Sequence, residues 1–62
     1  MDNKFELARM IAGRDAISFE EAMEVIENCQ KEIDMATNID EAEEAIEYWL
    51  GLEPDYLDIF LL

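Results

Sequence analysis

The sequence predicts an all-α fold, a small bundle of three helices at about 3–12, 18–37 and 39–50, plus a short C-terminal helix at about 54–61. Two observations predict it. Apolar residues recur at intervals of three and four, as they do along one face of an α-helix. The two glycines and the single proline fall where helices are expected to end and begin. A chain of 62 residues is short enough to be one helical domain, 1–62.

The first helix is predicted to begin after a cap at Asp2 or Asn3 and to end at Gly13. Leu7 and Met10 are expected at the margins of its buried face. The residues predicted to form that face share the helical spacing: Phe5, Ala8, Ile11 and Ala12.

The second helix has the clearest start signal, because "SFEE" matches a capping box. In that motif the Ser18 hydroxyl accepts from the backbone of Glu21, and the Glu21 carboxylate accepts from the backbone of Ser18. No glycine or proline interrupts the chain from there to Thr37, so this helix is predicted to be the longest. Its apolar positions follow the helical period: Phe19, Ala22, Met23, Ile26, Cys29, Ile33 and Ala36.

The third helix is predicted to start at a cap formed by Asn38 or Asp40 and to stop at Gly51. Leu50 lies beside its apolar face, and two small residues on that face allow close helix approach. The face comprises Ile39, Ala42, Ala45, Ile46 and Trp49.

Pro54 is suited to the first turn of the last helix. Leu57 and Leu61 are expected to point away from the apolar face of this helix. Three residues are predicted to share that face: Tyr56, Ile59 and Phe60.

Charge is the most unusual property of the chain. Four basic residues stand against 17 acidic ones, which gives a formal net charge of −13. Residues 1–31 carry seven acids and all four bases, whereas 32–62 carry ten acids and no base. Such a field repels nucleic acids and anionic membranes and attracts basic protein surfaces. The composition therefore argues against direct nucleic-acid or membrane binding and favours a basic protein as partner.

Catalytic chemistry is not indicated. The chain has no histidine, and its only serine, Ser18, is assigned to a helix cap. Cys29 lies among glutamates, which raise a thiol pKa, so we interpret it as a small core residue. No EF-hand pattern or phosphate-binding loop is present. We therefore expect a protein that is not an enzyme, with no catalytic residues, no cofactor and no metal site.

The N-terminus carries charges where a secretory signal has its apolar core, and the apolar tail is too short to span a bilayer. A single cysteine is also compatible with a reducing compartment. We expect a cytoplasmic protein and a complete small reading frame.

Two stripes of carboxylates are the leading candidates for partner binding. They comprise Glu20, Glu24 and Glu27 on the second helix, and Asp40, Glu43, Glu44 and Glu47 on the third. Neighbours at this spacing lie about 5–6 Å apart, and like charges there cost roughly 0.2–0.5 kcal/mol per pair. One interpretation is that the stripes imitate the phosphates of a nucleic acid. The alternatives are a solvated face that aids solubility and an adaptation to high salt.

The apolar C-terminus offers a different candidate surface. Its residues outnumber those that one face of a short helix can bury, so part of the tail is expected to stay exposed and to contact a partner or a second copy of the chain. The residues of this alternative are Trp49, Tyr56, Ile59 and Phe60.

In size, acidity and lack of catalytic motifs, the chain resembles the small proteins with which phages disable host nucleic-acid machinery, such as anti-CRISPR, anti-restriction and glycosylase-inhibitor proteins. No motif of a named family matches residue by residue. The leading hypothesis is a small acidic inhibitor, of the anti-defence type found in phages or mobile elements, that binds a basic nucleic-acid-binding protein as a nucleic-acid mimic. The alternatives are an adaptor or antirepressor that binds through the apolar tail, and an antitoxin or immunity protein for a basic toxin.

Overall fold

The computed structural model describes residues 3–61 and confirms the all-α bundle. Three main helices, α1 (Lys4–Asp15), α2 (Phe19–Met35) and α3 (Ile39–Leu50), are followed by a 3-10 turn (Pro54–Tyr56) and the short helix α4 (Leu57–Leu61). No strand occurs within 3–61. The same residues contain no helix that is both long and apolar enough to cross a membrane.

Helix α2 lies at the centre of the bundle and packs against both α1 and α3, while the C-terminal segment packs on α3. The core contains no charged or polar side chain among the described residues. At the α2–α3 contact the Cys29 thiol donates to the Ala45 carbonyl, with Sγ and O 3.6 Å apart. The largest side chains that are fully buried come from all three main helices: Ile11, Ile26, Cys29, Ile46 and Leu50.

Helix α1 extends three residues further than the sequence predicted. Gly13 lies inside the helix, which ends at Asp15, and the left-handed position that follows is taken by Ala16 at φ 57°. The prediction of a stop at Gly13 was therefore wrong. The Ile17 amide donates to the Ala12 carbonyl at 3.1 Å, so the turn at Ala16 supplies a partner for a carbonyl near the helix end.

The buried face of α1 is also shifted from the predicted one. Leu7 is buried together with Ala8 and Ile11, whereas Phe5 is 56% exposed. Phe5 instead lies against the ring of Phe19, with the ring centroids 4.9 Å apart. The two aromatic rings thus cover the edge of the α1–α2 contact from outside.

The predicted caps of α2 and α3 are present. Ser18 and Glu21 form the reciprocal capping box, with distances of 3.0 and 3.1 Å. Asn38 caps α3 by accepting from the Glu41 amide at 2.9 Å. Helix α2 ends two residues before the predicted Thr37, because the Thr37 amide donates to the Glu41 carboxylate at 2.9 Å instead of to an α2 carbonyl.

The C-terminal segment is not one continuous α-helix as predicted. Its first turn is a 3-10 turn, in which successive residues are about 120° apart rather than about 100°. Leu57 is buried although the sequence placed it away from the core, because it lies three residues before Phe60 and therefore on the same face of α4. Phe60 is buried as well, and the Lys4 ammonium lies 5.5 Å from its ring centroid. The segment therefore closes the end of the bundle next to α1.

Candidate functional site

Both carboxylate stripes lie on the solvent side of their helices. Residues on α2 and α3 are rotated by about 100° per position, which places each stripe opposite the buried residues of its own helix. Glu43 is partly buried, and the other members are exposed: Glu20, Glu24, Glu27, Asp40, Glu44 and Glu47. The exposed carboxylates are therefore available to a partner.

No acid of α3 forms a salt bridge within residues 3–61. The one salt bridge among residues 3–61 joins Arg14 to its neighbour Asp15, with Nε and Oδ1 2.8 Å apart. This pair lies at the end of α1, where it lowers the pKa of Asp15 through hydrogen bonds from the guanidinium. Helix α3 has five acids and no base, so its field reaches solvent without a counter-charge from its own helix.

Two shallow depressions contain members of the stripes. Glu20, Glu24 and Glu27 border one near the start of α2, together with the partly buried Phe19 and Met23. The structure therefore combines carboxylates with apolar area at this end of α2.

A second depression, which we call the α2–α3 groove, lies between the C-terminal half of α2 and α3. Its lining is Glu32, Met35, Ala36, Glu41, Glu44, Ala45 and Tyr48. Only Glu44 belongs to the stripes identified in the sequence. Met35 and Tyr48 were missed because they fall outside the buried period of their helices. The sequence did contain a signal for them, because both are large apolar side chains at positions that the helical period places away from the core.

Two carboxylates at the α2–α3 groove are held by hydrogen bonds from the chain. Glu41 Oε1 accepts from the Thr37 amide at 2.9 Å and from the Thr37 hydroxyl at 3.1 Å, and these bonds lower the pKa of Glu41. Glu32 Oε1 accepts from Trp49 Nε1 at 3.4 Å. Both carboxylates are thereby directed by neighbouring groups rather than free to rotate in solvent.

The alternative apolar binding surface, predicted at the C-terminus, has less accessible area in the structure than the sequence suggested. Trp49, Tyr56 and Ile59 are partly buried and pack against the core, so each retains some accessible surface. Phe60 is only 5% exposed and belongs to the core, because α4 turns that side chain inward with Leu57. Replacing Phe60 would therefore report on folding rather than on partner contact.

Cys29 occupies the core, as the sequence suggested. Its thiol is fully buried between α2 and α3. Burial raises the pKa of Cys29 to about 11, and the negative charge of Glu32 contributes in the same direction. The thiol is therefore protonated at neutral pH and is a poor nucleophile.

Within residues 3–61 no three potential metal ligands converge on one point. The exposed carboxylates radiate from the helices, and this is the geometry that a broad charged surface presents. Comparisons with known proteins add no further assignment: no family model matches the chain, and no curated protein or solved structure is significantly similar to it.

Proposed function

We propose that this chain is a small non-enzymatic inhibitor that binds the basic surface of a nucleic-acid-binding protein and competes there with the nucleic acid. The observation that carries the proposal is the exposed carboxylate stripe of α3, which no basic residue of that helix neutralises. The α2 stripe adds to the same field, with Lys31 as the one base of that helix.

The density of charge supports the comparison with a nucleic acid. The net charge of −13 over a longest dimension of 32 Å corresponds to about one net charge per 2.5 Å. Duplex DNA carries one phosphate per ~1.7 Å of its axis, and one strand carries one per ~3.4 Å. The average charge per length of this protein therefore lies between those of a single strand and of a duplex.

Asp40 and Glu41 lie in the first turn of α3, where the helix dipole favours negative charge. Folding gives no such reason for the later acids Glu43, Glu44 and Glu47. The core consists of apolar side chains, and within residues 3–61 the side chains of the stripes make no hydrogen bond. Like charges at these intervals destabilise an isolated helix by roughly 0.2–0.5 kcal/mol per pair. A role in binding explains why a stability cost of this kind is retained.

The test uses two variants with the same net charge. The first replaces Asp40, Glu44 and Glu47 with lysine. The second replaces three acids of the C-terminal segment with lysine: Glu53, Asp55 and Asp58. Both sets are exposed, both include a first-turn acid, and both change the net charge from −13 to −7. A difference between the variants therefore reports on the position of the charges rather than on their number.

Immobilised wild-type protein and both variants are incubated with a bacterial lysate, washed at low and then at high salt, and the retained proteins are identified by mass spectrometry. We expect a basic nucleic-acid-binding protein on the wild type and on the C-terminal variant, none on the α3 variant, and release at high salt. Circular dichroism should show that the wild type and both variants are helical. Retention by the α3 variant, or retention that survives high salt, would contradict the proposal and favour an apolar contact.

A further inference from the structure

The α2–α3 groove combines exposed apolar side chains with carboxylates. Met35 and Tyr48 are 77% and 79% exposed, the highest values among the large apolar residues described. They border the same depression, and Ala36 and Ala45 lie in its lining. Small side chains there leave space for another backbone to approach. The two prominent side chains, Met35 on α2 and Tyr48 on α3, can contact an apolar group between them.

The carboxylates of the groove are Glu32, Glu41 and Glu44. Glu32 is hydrogen bonded by Trp49, and Glu41 by Thr37, each through Oε1. Two of the three carboxylates are therefore oriented before a partner arrives, and less of their side-chain freedom is lost on binding.

We propose that the α2–α3 groove binds a basic amphipathic helix of the partner. An apolar side chain of that helix contacts Met35 and Tyr48, and lysine or arginine side chains pair with Glu32, Glu41 and Glu44. The inference rests on the proposed function, because it specifies which segment of a basic partner is recognised.

Charge complementarity selects this occupant. A basic helix neutralises the three carboxylates, whereas the acidic faces of a second copy repel them. A helix also matches the shape of the site, since a seam between two helices accepts the side chains of a third by the usual packing of ridges into grooves.

The probe is a fluorescein-labelled, amidated peptide of 16 residues built from alanine, lysine and leucine, with leucine at helical spacing on one face and lysine beside it. Two control peptides replace either all leucines with serine or all lysines with glutamine. Binding is followed by fluorescence anisotropy, and size-exclusion chromatography with light scattering gives the oligomeric state of each protein.

The double variant Met35→Ser/Tyr48→Ser is expected to bind the amphipathic peptide at least about tenfold more weakly than the wild type, which corresponds to ~1.4 kcal/mol. The matched double variant Met10→Ser/Leu61→Ser removes exposed apolar side chains outside the groove and is expected to bind like the wild type. Glu44→Gln should weaken binding, and Glu53→Gln should not. Both control peptides are expected to bind more weakly than the amphipathic one.

Equal binding by the groove variant and the wild type would overturn the inference, as would equal binding of the peptide without leucine. If the α3 lysine variant then still loses the captured partner, the proposed function stands and only the groove assignment fails. If that variant keeps the partner, the proposed function fails as well. A dimer of the free protein that dissociates in Met35→Ser/Tyr48→Ser would assign the groove to a second copy and also overturn the inference.

Discussion

Replacing Gly13 with alanine distinguishes the observed end of α1 from the one predicted by sequence. In the structure Gly13 is an exposed residue inside the helix, and a Cβ built there meets no atom within 4 Å. Alanine is therefore accommodated without strain. If the helix ended at Gly13 in a left-handed conformation, the same replacement would be unfavourable.

The expected magnitude follows from helix propensity. Glycine in a helix interior is less favourable than alanine by about 0.8–1.0 kcal/mol, so Gly13→Ala should raise the free energy of unfolding by about that amount. For a domain of this size the melting temperature should rise by ~4–8 °C for each kcal/mol. The gain is large for a chain whose total stability is on the order of 3–9 kcal/mol.

Urea denaturation followed by circular dichroism at 222 nm is the appropriate assay. Urea is preferable to guanidinium chloride, because the latter is a salt and would screen the repulsion within this acidic chain. Gly51→Ala is the matched control. Gly51 caps α3 at φ 64°, where a side chain costs about 1–2 kcal/mol, partly offset by about 0.4–1 kcal/mol from a less flexible unfolded chain.

The two replacements should therefore shift stability in opposite directions, although both change glycine to alanine. A loss of stability in Gly13→Ala comparable to that in Gly51→Ala would refute the description of α1. It would mean that Gly13 has the left-handed conformation and that the helix ends there.

Three further experiments, two with variants and one with the wild type, have defined outcomes. Ser18→Ala removes the hydroxyl of the α2 capping box, and the free energy of unfolding in urea should fall by ~1 kcal/mol; an unchanged value would contradict the importance of the cap. The pKa of Glu41 is lowered by its bonds from Thr37, so its carboxylate stabilises the fold above the ordinary pKa of 4.5, and this contribution is lost as the pH falls below that value. Wild type should therefore be more stable than Glu41→Gln at pH 7, and urea titrations at pH 7 and pH 3 should show the two converging; a constant difference would contradict this. Because burial raises the pKa of Cys29 to about 11, Ellman's reagent at pH 8 should label the native protein on the order of a hundredfold more slowly than the protein in urea. Rapid labelling of the native state would contradict the burial of the thiol.

The start of α2 and both ends of α3 were predictable because they depend on local chemistry. A serine followed by a glutamate three residues later satisfies the first amides of a helix without help from the rest of the fold, and the structure contains both bonds of this motif at Ser18. Asn38 and Gly51 act in the same local way. Such signals require only a few neighbouring residues and are therefore readable from sequence.

The end of α1 was not predictable from the same rules. Glycine is the usual residue for the left-handed cap, so Gly13 was the natural choice, yet Ala16 adopts that conformation. Beyond Gly13, Arg14 and Asp15 are helical but exposed, and Ile17 is the first residue that packs against the core. Which residue takes the left-handed position thus depends on where the chain returns to the core, and this is not visible in the local sequence.

The C-terminal segment shows a second limit. Its apolar residues were recognised, but the buried face of α4 consists of Leu57 and Phe60, three residues apart, so Leu57 was misassigned and Phe60 proved to be core. On the surface, the stripes could be read from helical spacing. The α2–α3 groove could not, because it depends on how Met35 and Tyr48 from separate helices are brought together.

If the acidic surface occupies the site of a nucleic acid on its partner, the two must compete for that site. Competition is measured directly by binding the captured partner to a fluorescent oligonucleotide and titrating in the protein at several salt concentrations. We expect the wild type and the C-terminal lysine variant to displace the oligonucleotide and the α3 lysine variant not to. The affinity of the wild type for the partner should fall steeply between 50 and 200 mM salt. A stable ternary complex of partner, oligonucleotide and protein, or displacement that does not depend on the α3 acids, would contradict this competition.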